Sequence, residues 1–365
     1  MNVYLTGSTG FLGKQIARDL SKRETGKLYL PIRKKHGRSG SERFDSLFSD
    51  LSRTSRTFRR TFFVNNVPED TPKDTDCVIF NAFSLNFEST LYDVVFENVR
   101  PIIETIKYTQ NQRTVKKIIV ISTAYLKRPG VERTELPDFD ALSMYEGILE
   151  KRISWESIKP LFHPHFTFNT YIFAKLLMEK ICTLMIKKGL TIIRPSQICI
   201  STDGEYGTCN VAMAGCRFHC SPMMCVYISK YPEDIVPVDA LSDLIVNSMT
   251  DSRDVIYGTS GSRVTALDLS NLVSPDKYNV HVESKNILYY LIYWTENIVY
   301  KTLTTIGAMN PRQYKAWRGF HKNYSYFQLH HWIFPDEIKI DEQAYLGTIN
   351  TYCDRWKRVK LNAKL

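Results

Sequence analysis

Three groups of residues in this chain have types and spacings suited to chemistry. The first is Thr6-Gly7-Ser8-Thr9-Gly10-Phe11-Leu12-Gly13, directly after the apolar run Val3-Tyr4-Leu5. An apolar strand, a glycine turn and a helix leave backbone N–H groups at the helix N-terminus, where a pyrophosphate binds. Gly7 would allow the tight turn, Gly10 the approach of the phosphates, and Gly13 the packing of helix on strand. Thr9, Phe11 and Leu12 would lie against the same ligand. The second group is Tyr171 and Lys175, four residues apart and on one face if the segment is helical. A phenol can protonate the oxygen of a carbonyl that receives hydride, but its pKa near 10 is poorly matched to neutral pH. A lysine one turn away, with a positive nicotinamide ring, would lower that pKa and hold the ribose. The third is Ser122-Thr123, closing the apolar run 117–121. Thr123 would hydrogen-bond the developing oxyanion, and Ser122 would point to the opposite face of a regular strand. Each signal is common alone. In this order they point to a nicotinamide-dependent oxidoreductase.

The elements that must position these groups alternate between strand and helix. Strands are expected at Val3–Leu5, Leu28–Ile32, Thr61–Val64, Cys77–Phe80, Lys117–Ile121 and Leu190–Ile193, with helices at Phe11–Leu20, about Leu91–Tyr108 and Asn169–Lys187. Ser39-Gly40-Ser41-Glu42 has the form of a capping box. Gly189 reads as the C-cap of the long helix. Beyond Ser196 the alternation loosens, with Ile235–Asp239 delivering a helix N-cap at Asp239 and a late strand at Val255–Gly258. From about Asn286 the chain reads as helical and aromatic, with Tyr289, Tyr290, Tyr293, Trp294 and Tyr300. The expected architecture is α/β: a Rossmann-type doubly wound parallel sheet, with a smaller, mainly helical C-terminal domain. At 365 residues the chain is long enough for two domains, expected at 1–260 (cofactor-binding, with the substrate loop) and 261–365.

The residue after the second strand of such a sheet selects the dinucleotide. A carboxylate holds the ribose hydroxyls of NAD, and basic residues receive the 2′-phosphate of NADP. Here the chain reads Arg33-Lys34-Lys35-His36, with Arg38 and Arg43 following and no carboxylate before Glu42. This favours NADPH, with Arg33 as the leading phosphate contact and Arg43 behind it, over a merely solvated basic loop.

The composition is that of a globular protein, 43% hydrophobic with a net charge of +10. No apolar run approaches the roughly 18 residues of a membrane span. A strand at the very N-terminus leaves no room for a signal peptide, so a cytosolic origin is expected. The positive charge fits phosphorylated ligands; no zinc-finger, ribbon or helix-turn-helix pattern supports nucleic acid. Eight cysteines at irregular spacing are expected to be free thiols. The cluster Cys209, Cys216, His219, Cys220 and Cys225 matches no familiar zinc spacing, and no metal is expected.

The Gly-x-x-Gly-x-x-Gly spacing resembles the extended short-chain dehydrogenases. Further residues narrow the likeness. Pro31-Ile32-Arg33-Lys34-Lys35-His36-Gly37-Arg38-Ser39 with Glu42-Arg43-Phe44, Ser122-Thr123-Ala124-Tyr125, Asn169-Thr170-Tyr171-Ile172-Phe173-Ala174-Lys175, Arg194-Pro195-Ser196 and Asp234–Asp239 resemble, in order, segments of the fatty acyl-CoA reductases. The likeness covers about residues 1–260 and continues weakly through Gly307 and Pro311 to Trp332-Ile333-Phe334. It departs at Arg100-Pro101 (usually Gly-Thr), at Asn65-Asn66 (often Gly-Asp), and at Gly204-Glu205-Tyr206-Gly207, a reduced form of a longer substrate loop. The C-terminal domain is also shorter than usual.

The resemblance implies a catalytic set of Tyr171, Lys175 and Thr123, with Asn81, Ala82, Lys175 and Pro195 joining the glycine loop and Arg33 and Arg43 around NADPH. It implies a long-chain acyl-CoA substrate, reduced through an aldehyde to an alcohol with release of CoA. Other extended reductases (sugar epimerases, hydroxysteroid dehydrogenases) share the triad, and a non-catalytic acyl-CoA- or NADPH-binding protein is the reading from a different class. The aromatic C-terminal region is a candidate for peripheral membrane contact, against ordinary helix packing. The last residues, Ala363-Lys364-Leu365, resemble the Ser-Lys-Leu address read by the peroxisomal import receptor. A peroxisomal location is therefore expected, with the cytoplasm or the cytosolic face of the endoplasmic reticulum as alternatives.

Overall fold

The computed structural model describes residues 1–23, 26–48, 61–64, 71–84, 89–112, 114–127, 129–131, 137–162, 169–206, 231–265, 268, 287–308, 310–311, 314 and 332–362. The chain divides into two compact units. The first comprises Met1–Lys127, Thr134–Ile198 and Val236–Thr259; the second comprises Arg128–Arg133, Cys199–Ile235 and Ser260–Leu365. The last break between them falls at 259/260. The described residues 199–206 and 231–235, expected within 1–260, group instead with the second unit.

The first unit is built on a seven-stranded sheet. Its strands are β1 (Val3–Leu5), β2 (Leu28–Pro31), β3 (Thr61–Val64), β4 (Cys77–Phe80), β5 (Lys117–Ile121), β6 (Leu190–Pro195) and, after the short β7 (Gln197–Cys199) and β8 (Ile235–Pro237), β9 (Val255–Gly258). The spatial order is β3-β2-β1-β4-β5-β6-β9, and every pairing is parallel. Residues of β1, β4 and β5 are buried throughout, as in a sheet covered on both faces. Because all strands run the same way, their C-terminal ends share one edge. The chain order reverses between β1 and β4, the switch point at which such sheets bind ligands.

Helices α1 (Phe11–Lys22), α2 (Gly40–Leu47), α3 (Leu91–Val94), α4 (Arg100–Gln112), α5 (Ala141–Leu149), α6 (Trp155–Phe162), α7 (Thr170–Met185) and α8 (Val238–Asn247) complete this unit. The Ser39–Glu42 capping box opens α2 as expected. Three local expectations are corrected. Gly189 does not cap α7, which ends on Ile186; its φ of +78° instead turns the chain into β6, where a Cβ would lie 2.2 Å from the Lys116 carbonyl oxygen. Asp239 is not an N-cap but lies in the first turn of α8, behind Pro237. The helix expected over 91–108 is interrupted by a π turn at Val95–Val99. Pro101 lies just beyond it. Proline offers no N–H to the carbonyl four residues back and its ring crowds that group, so the helix widens before it.

In the second unit, Cys199, Ile200, Ile235, Val264, Tyr345, Ile349 and Cys353 form a buried cluster. Helices α9 (Ile287–Thr305) and α10 (Glu342–Asn362) belong to it. Asp234 accepts hydrogen bonds from the Ser260 and Ser262 N–H groups, and the Tyr345 hydroxyl donates to the Ile200 carbonyl at 2.7 Å. The reduced loop is tied to α10: Arg355 donates to Glu205 at 2.8 Å and to the Gly204 carbonyl at 3.4 Å. Among the described residues, no helix is long and apolar enough to cross a membrane.

Candidate active site

The glycine loop is shaped by close approaches that a side chain would prevent. Gly7 has φ +68°, and a Cβ there would lie 2.8 Å from the backbone of Ala82. A Cβ on Gly13 would lie 2.1 Å from the Gly7 carbonyl oxygen. Both glycines are required by geometry, and the turn they form presents the start of α1. Gly10 is the N-cap of that helix, with no side-chain cap bond and no acidic residue in the first turn, so the helix dipole favours an anion there. Ser8 adds a buried hydroxyl that has no hydrogen-bond partner among the described residues. The cradle fits a dinucleotide pyrophosphate.

Thr6 fixes this loop across the switch point, a role the sequence reading missed. Its hydroxyl accepts from the Asn81 N–H at 3.0 Å and the Ala82 N–H at 3.1 Å, and Asn81 donates from its side chain to the Gly7 carbonyl. The next residue with a fixed backbone is Ser84, whose N–H donates to Asn98 Oδ1 at 2.6 Å. Asn98 belongs to the π turn, and its amide also donates to the Val94 carbonyl. Its signal in the sequence was indirect, being the proline three residues later.

The basic loop after β2 is a tight turn. Lys35 and Arg38 exchange two backbone hydrogen bonds at 3.1 Å around His36 and Gly37, both with positive φ. Arg33 is exposed. Arg43 is held more firmly, donating to the Arg33 carbonyl at 2.6 Å and to Thr9 Oγ1 at 3.3 Å. It thus joins the basic loop to the glycine loop.

Helix α7 carries Tyr171 and Lys175. Asn169 caps it, accepting from the Ile172 N–H at 3.0 Å, and the Thr170 hydroxyl donates to the Ser89 carbonyl. Lys175 Nζ donates to the Ile121 carbonyl at the end of β5, at 2.6 Å. One turn on, Glu179 receives a two-point pair from Arg194 of β6 at 3.0 and 2.6 Å, and Arg194 reaches the Tyr257 hydroxyl at 3.2 Å. Positions 171, 175 and 179 share a face, and their contacts register α7 along β5 and β6. Burial pushes the Lys175 ammonium down to about 7, with the Glu179 carboxylate opposing the shift.

Thr123 lies two residues beyond the carbonyl that holds Lys175 and is buried, as are Tyr171 and Ser122. Its hydroxyl accepts from the Tyr125 N–H at 3.4 Å, which leaves its proton to be donated elsewhere. Ser122 follows the last residue of β5, and its hydroxyl has no partner among the described residues. Phe83 was not anticipated. Its ring centroid is 3.8 Å from Lys175 Nζ and 5.4 Å, edge to face, from the Tyr171 ring. Pro195 is buried at the end of β6, paired with Gly258. The cluster from Cys209 to Cys225, the 65–66 pair and the last three residues lie outside the described residues. Among the described residues no group of His, Cys, Asp or Glu could hold a metal.

A strand-end hydroxyl, a tyrosine and a buried lysine thus stand at the same C-terminal edge of the sheet as the glycine cradle. The model of the male sterility protein family, an NAD-binding family, matches residues 5–65 and 66–245. The chain belongs to the fatty acyl-CoA reductase family. It is similar to a protein of Drosophila melanogaster named fatty acyl-CoA reductase wat, 24% identical across 88% of this chain and 72% of that protein. The Homo sapiens protein named fatty acyl-CoA reductase 1 is 27% identical across 53% of this chain. That match spans only 42% of the human protein, well under half its length. Among solved structures, the terminal R domain from the myxalamid PKS-NRPS biosynthetic pathway superposes with a TM-score of 0.68 at 16% identity, covering 96% of this chain and 90% of that one. At that identity the likeness speaks for the fold, the parallel Rossmann-type sheet with flanking helices.

Proposed function

We propose that this protein is an NADPH-dependent reductase of long-chain acyl-CoA, acting through the aldehyde to the alcohol with release of CoA. One observation carries the reading: Lys175 is bound at the end of β5, two residues before Thr123, on the helix face that also presents Tyr171. The cofactor, when bound, supplies hydride. The chain's own residues do the rest. Thr123 donates a hydrogen bond to the carbonyl oxygen, and Tyr171 delivers the proton to it as charge develops. Lys175, in its ammonium form, stabilises the phenolate that Tyr171 leaves behind and holds the ribose. Collapse of the resulting hemithioacetal releases the CoA thiol; once Tyr171 regains a proton from solvent and a second NADPH is bound, the same three groups act again on the aldehyde.

The choice of NADPH rests on Arg43 and Arg33. Arg43 already spans Thr9 and the Arg33 carbonyl, so its guanidinium is pre-organised beside the ribose end of the cradle. NADPH should bind at least about tenfold tighter than NADH, or about 1.4 kcal/mol, and Arg43→Ala should erase most of that ratio; equal affinities in the wild type would contradict the choice. The net charge of +10 suits a multiply phosphorylated CoA. Trp294 and Ile298, 61% and 60% exposed one turn apart on α9, support peripheral contact with a lipid surface. Ala363-Lys364-Leu365 supports peroxisomal import. The functional test is turnover: palmitoyl-CoA should consume two NADPH for each CoA thiol released. Consumption only with a nucleotide sugar or a sterol would replace this reading by another reductase.

A further inference from the structure

Phe83 has no part in the proposed chemistry, yet its ring touches two of the residues that carry it. It follows β4 on the stretch Asn81–Ser84, whose backbone is pinned at both ends. Thr6 holds the N–H groups of Asn81 and Ala82, and Asn98 holds that of Ser84. From this fixed backbone the ring reaches across to α7. Its centroid lies 3.8 Å from Lys175 Nζ, and its edge contact with the Tyr171 ring has centroids 5.4 Å apart and planes at 89°. Nζ is already bonded to the Ile121 carbonyl at 2.6 Å. A cation so close to a ring face is held by the ring quadrupole, most strongly when little water reaches it, and Lys175 is only 3% exposed.

We propose that Phe83 is a positioning residue that gates the nicotinamide half of the site: its ring covers the Lys175 ammonium and must turn aside before a cofactor ribose can hydrogen-bond there. The inference rests on the proposed cofactor and goes beyond it: the Ile121 carbonyl takes one of the three Nζ donors, and the Phe83 ring covers Nζ from another side. The motion belongs to the side chain. The backbone is pinned, whereas a half-buried phenylalanine can change rotamer on a fast timescale. Binding is then limited by the fraction of molecules whose ring is turned away, and the apparent affinity falls by that fraction. The covered state also keeps water from Lys175 and Tyr171 until the cofactor takes the place of the ring. A cation–π contact of ordinary strength implies an open fraction of about one in three to one in ten.

The test is stopped-flow fluorescence of NADPH binding to the full chain, comparing wild type, Phe83→Ala and Phe83→Leu. The gate predicts that Phe83→Ala raises the association rate constant about three- to tenfold and leaves dissociation within about twofold. Phe83→Leu, which fills space without a π face, should fall between. A merely structural ring would not speed association when removed. If wild type binds NADPH and Phe83→Ala associates no faster, or binds more weakly, the gate is overturned and the cofactor reading stands. If none of the three proteins binds NADPH, the cofactor reading is overturned and the gate falls with it.

Discussion

The fold holds the Lys175 charge at a cost, and that cost is measurable. Its folded-state pKa lies near 7, below an unfolded value of 10.5, because burial disfavours the ammonium. Between these values the folded protein binds fewer protons than the unfolded chain. Lys175 therefore opposes folding fully below about pH 7, and the penalty fades as pH rises toward 10.5. Urea unfolding of wild type and Lys175→Met across pH 7 to 9.5 should show the wild type gaining on the variant by about 1.4 kcal/mol per pH unit. A difference that is flat with pH would contradict the burial account. At this scale the sequence was informative wherever spacing along one helix sufficed, as for Tyr171 and Lys175. It was silent where the partner comes from another element. Nothing near Phe83, Thr6 or the Ile121 carbonyl in the sequence indicates that they meet residues 54 or more positions away.

The elements that carry the site follow local rules that can be tested one at a time. In the glycine loop, Gly13→Ala would drive a Cβ to 2.1 Å from the Gly7 carbonyl oxygen. The loop would have to shift, at a cost of about 1–3 kcal/mol in stability and with loss of cofactor binding. A Gly13→Ala protein that melts normally and binds NADPH unchanged would contradict the cradle. The α2 capping box and the order of strands and helices were legible because their signals are local: Ser39 with Glu42, and apolar runs separated by turns. The ends of α7 and the start of α8 were misread because more than one residue could plausibly stop or start each helix. Gly189 serves the entry to β6, where it passes against Lys116, and Pro237 occupies the cap position assigned to Asp239. The π turn was not legible. Its cause, Pro101, is visible, but the way a helix yields to proline depends on packing, here on the bond from Ser84 to Asn98.

For the molecule as a whole, the seven parallel strands set the C-terminal ends of β1, β4, β5 and β6 side by side, and the proposed chemistry depends on that edge. The second unit took residues 199–206 and 231–235 from the expected first domain because their apolar side chains, Cys199, Ile200 and Ile235, pack with Tyr345 and Ile349 of α10. Periodicity cannot reveal such a long-range exchange. Location is a property of the whole chain with its own test. A reporter bearing the last dozen residues should enter peroxisomes and lose that import when Leu365 is deleted; diffuse staining of both would remove the proposal and leave the chemistry untouched. The central claim, that Tyr171, Lys175 and Thr123 protonate and orient the carbonyl of an acyl-CoA that takes hydride from NADPH, is met most directly by isotope transfer. Purified protein is given palmitoyl-CoA and NADPH deuterated at the transferable position, and the products are read by mass spectrometry. The account predicts hexadecanol with deuterium at the former carbonyl carbon, and about 10²- to 10⁴-fold less of it from Tyr171→Phe although that variant still binds NADPH. Unlabelled product, or equal yields from the two proteins, would contradict it.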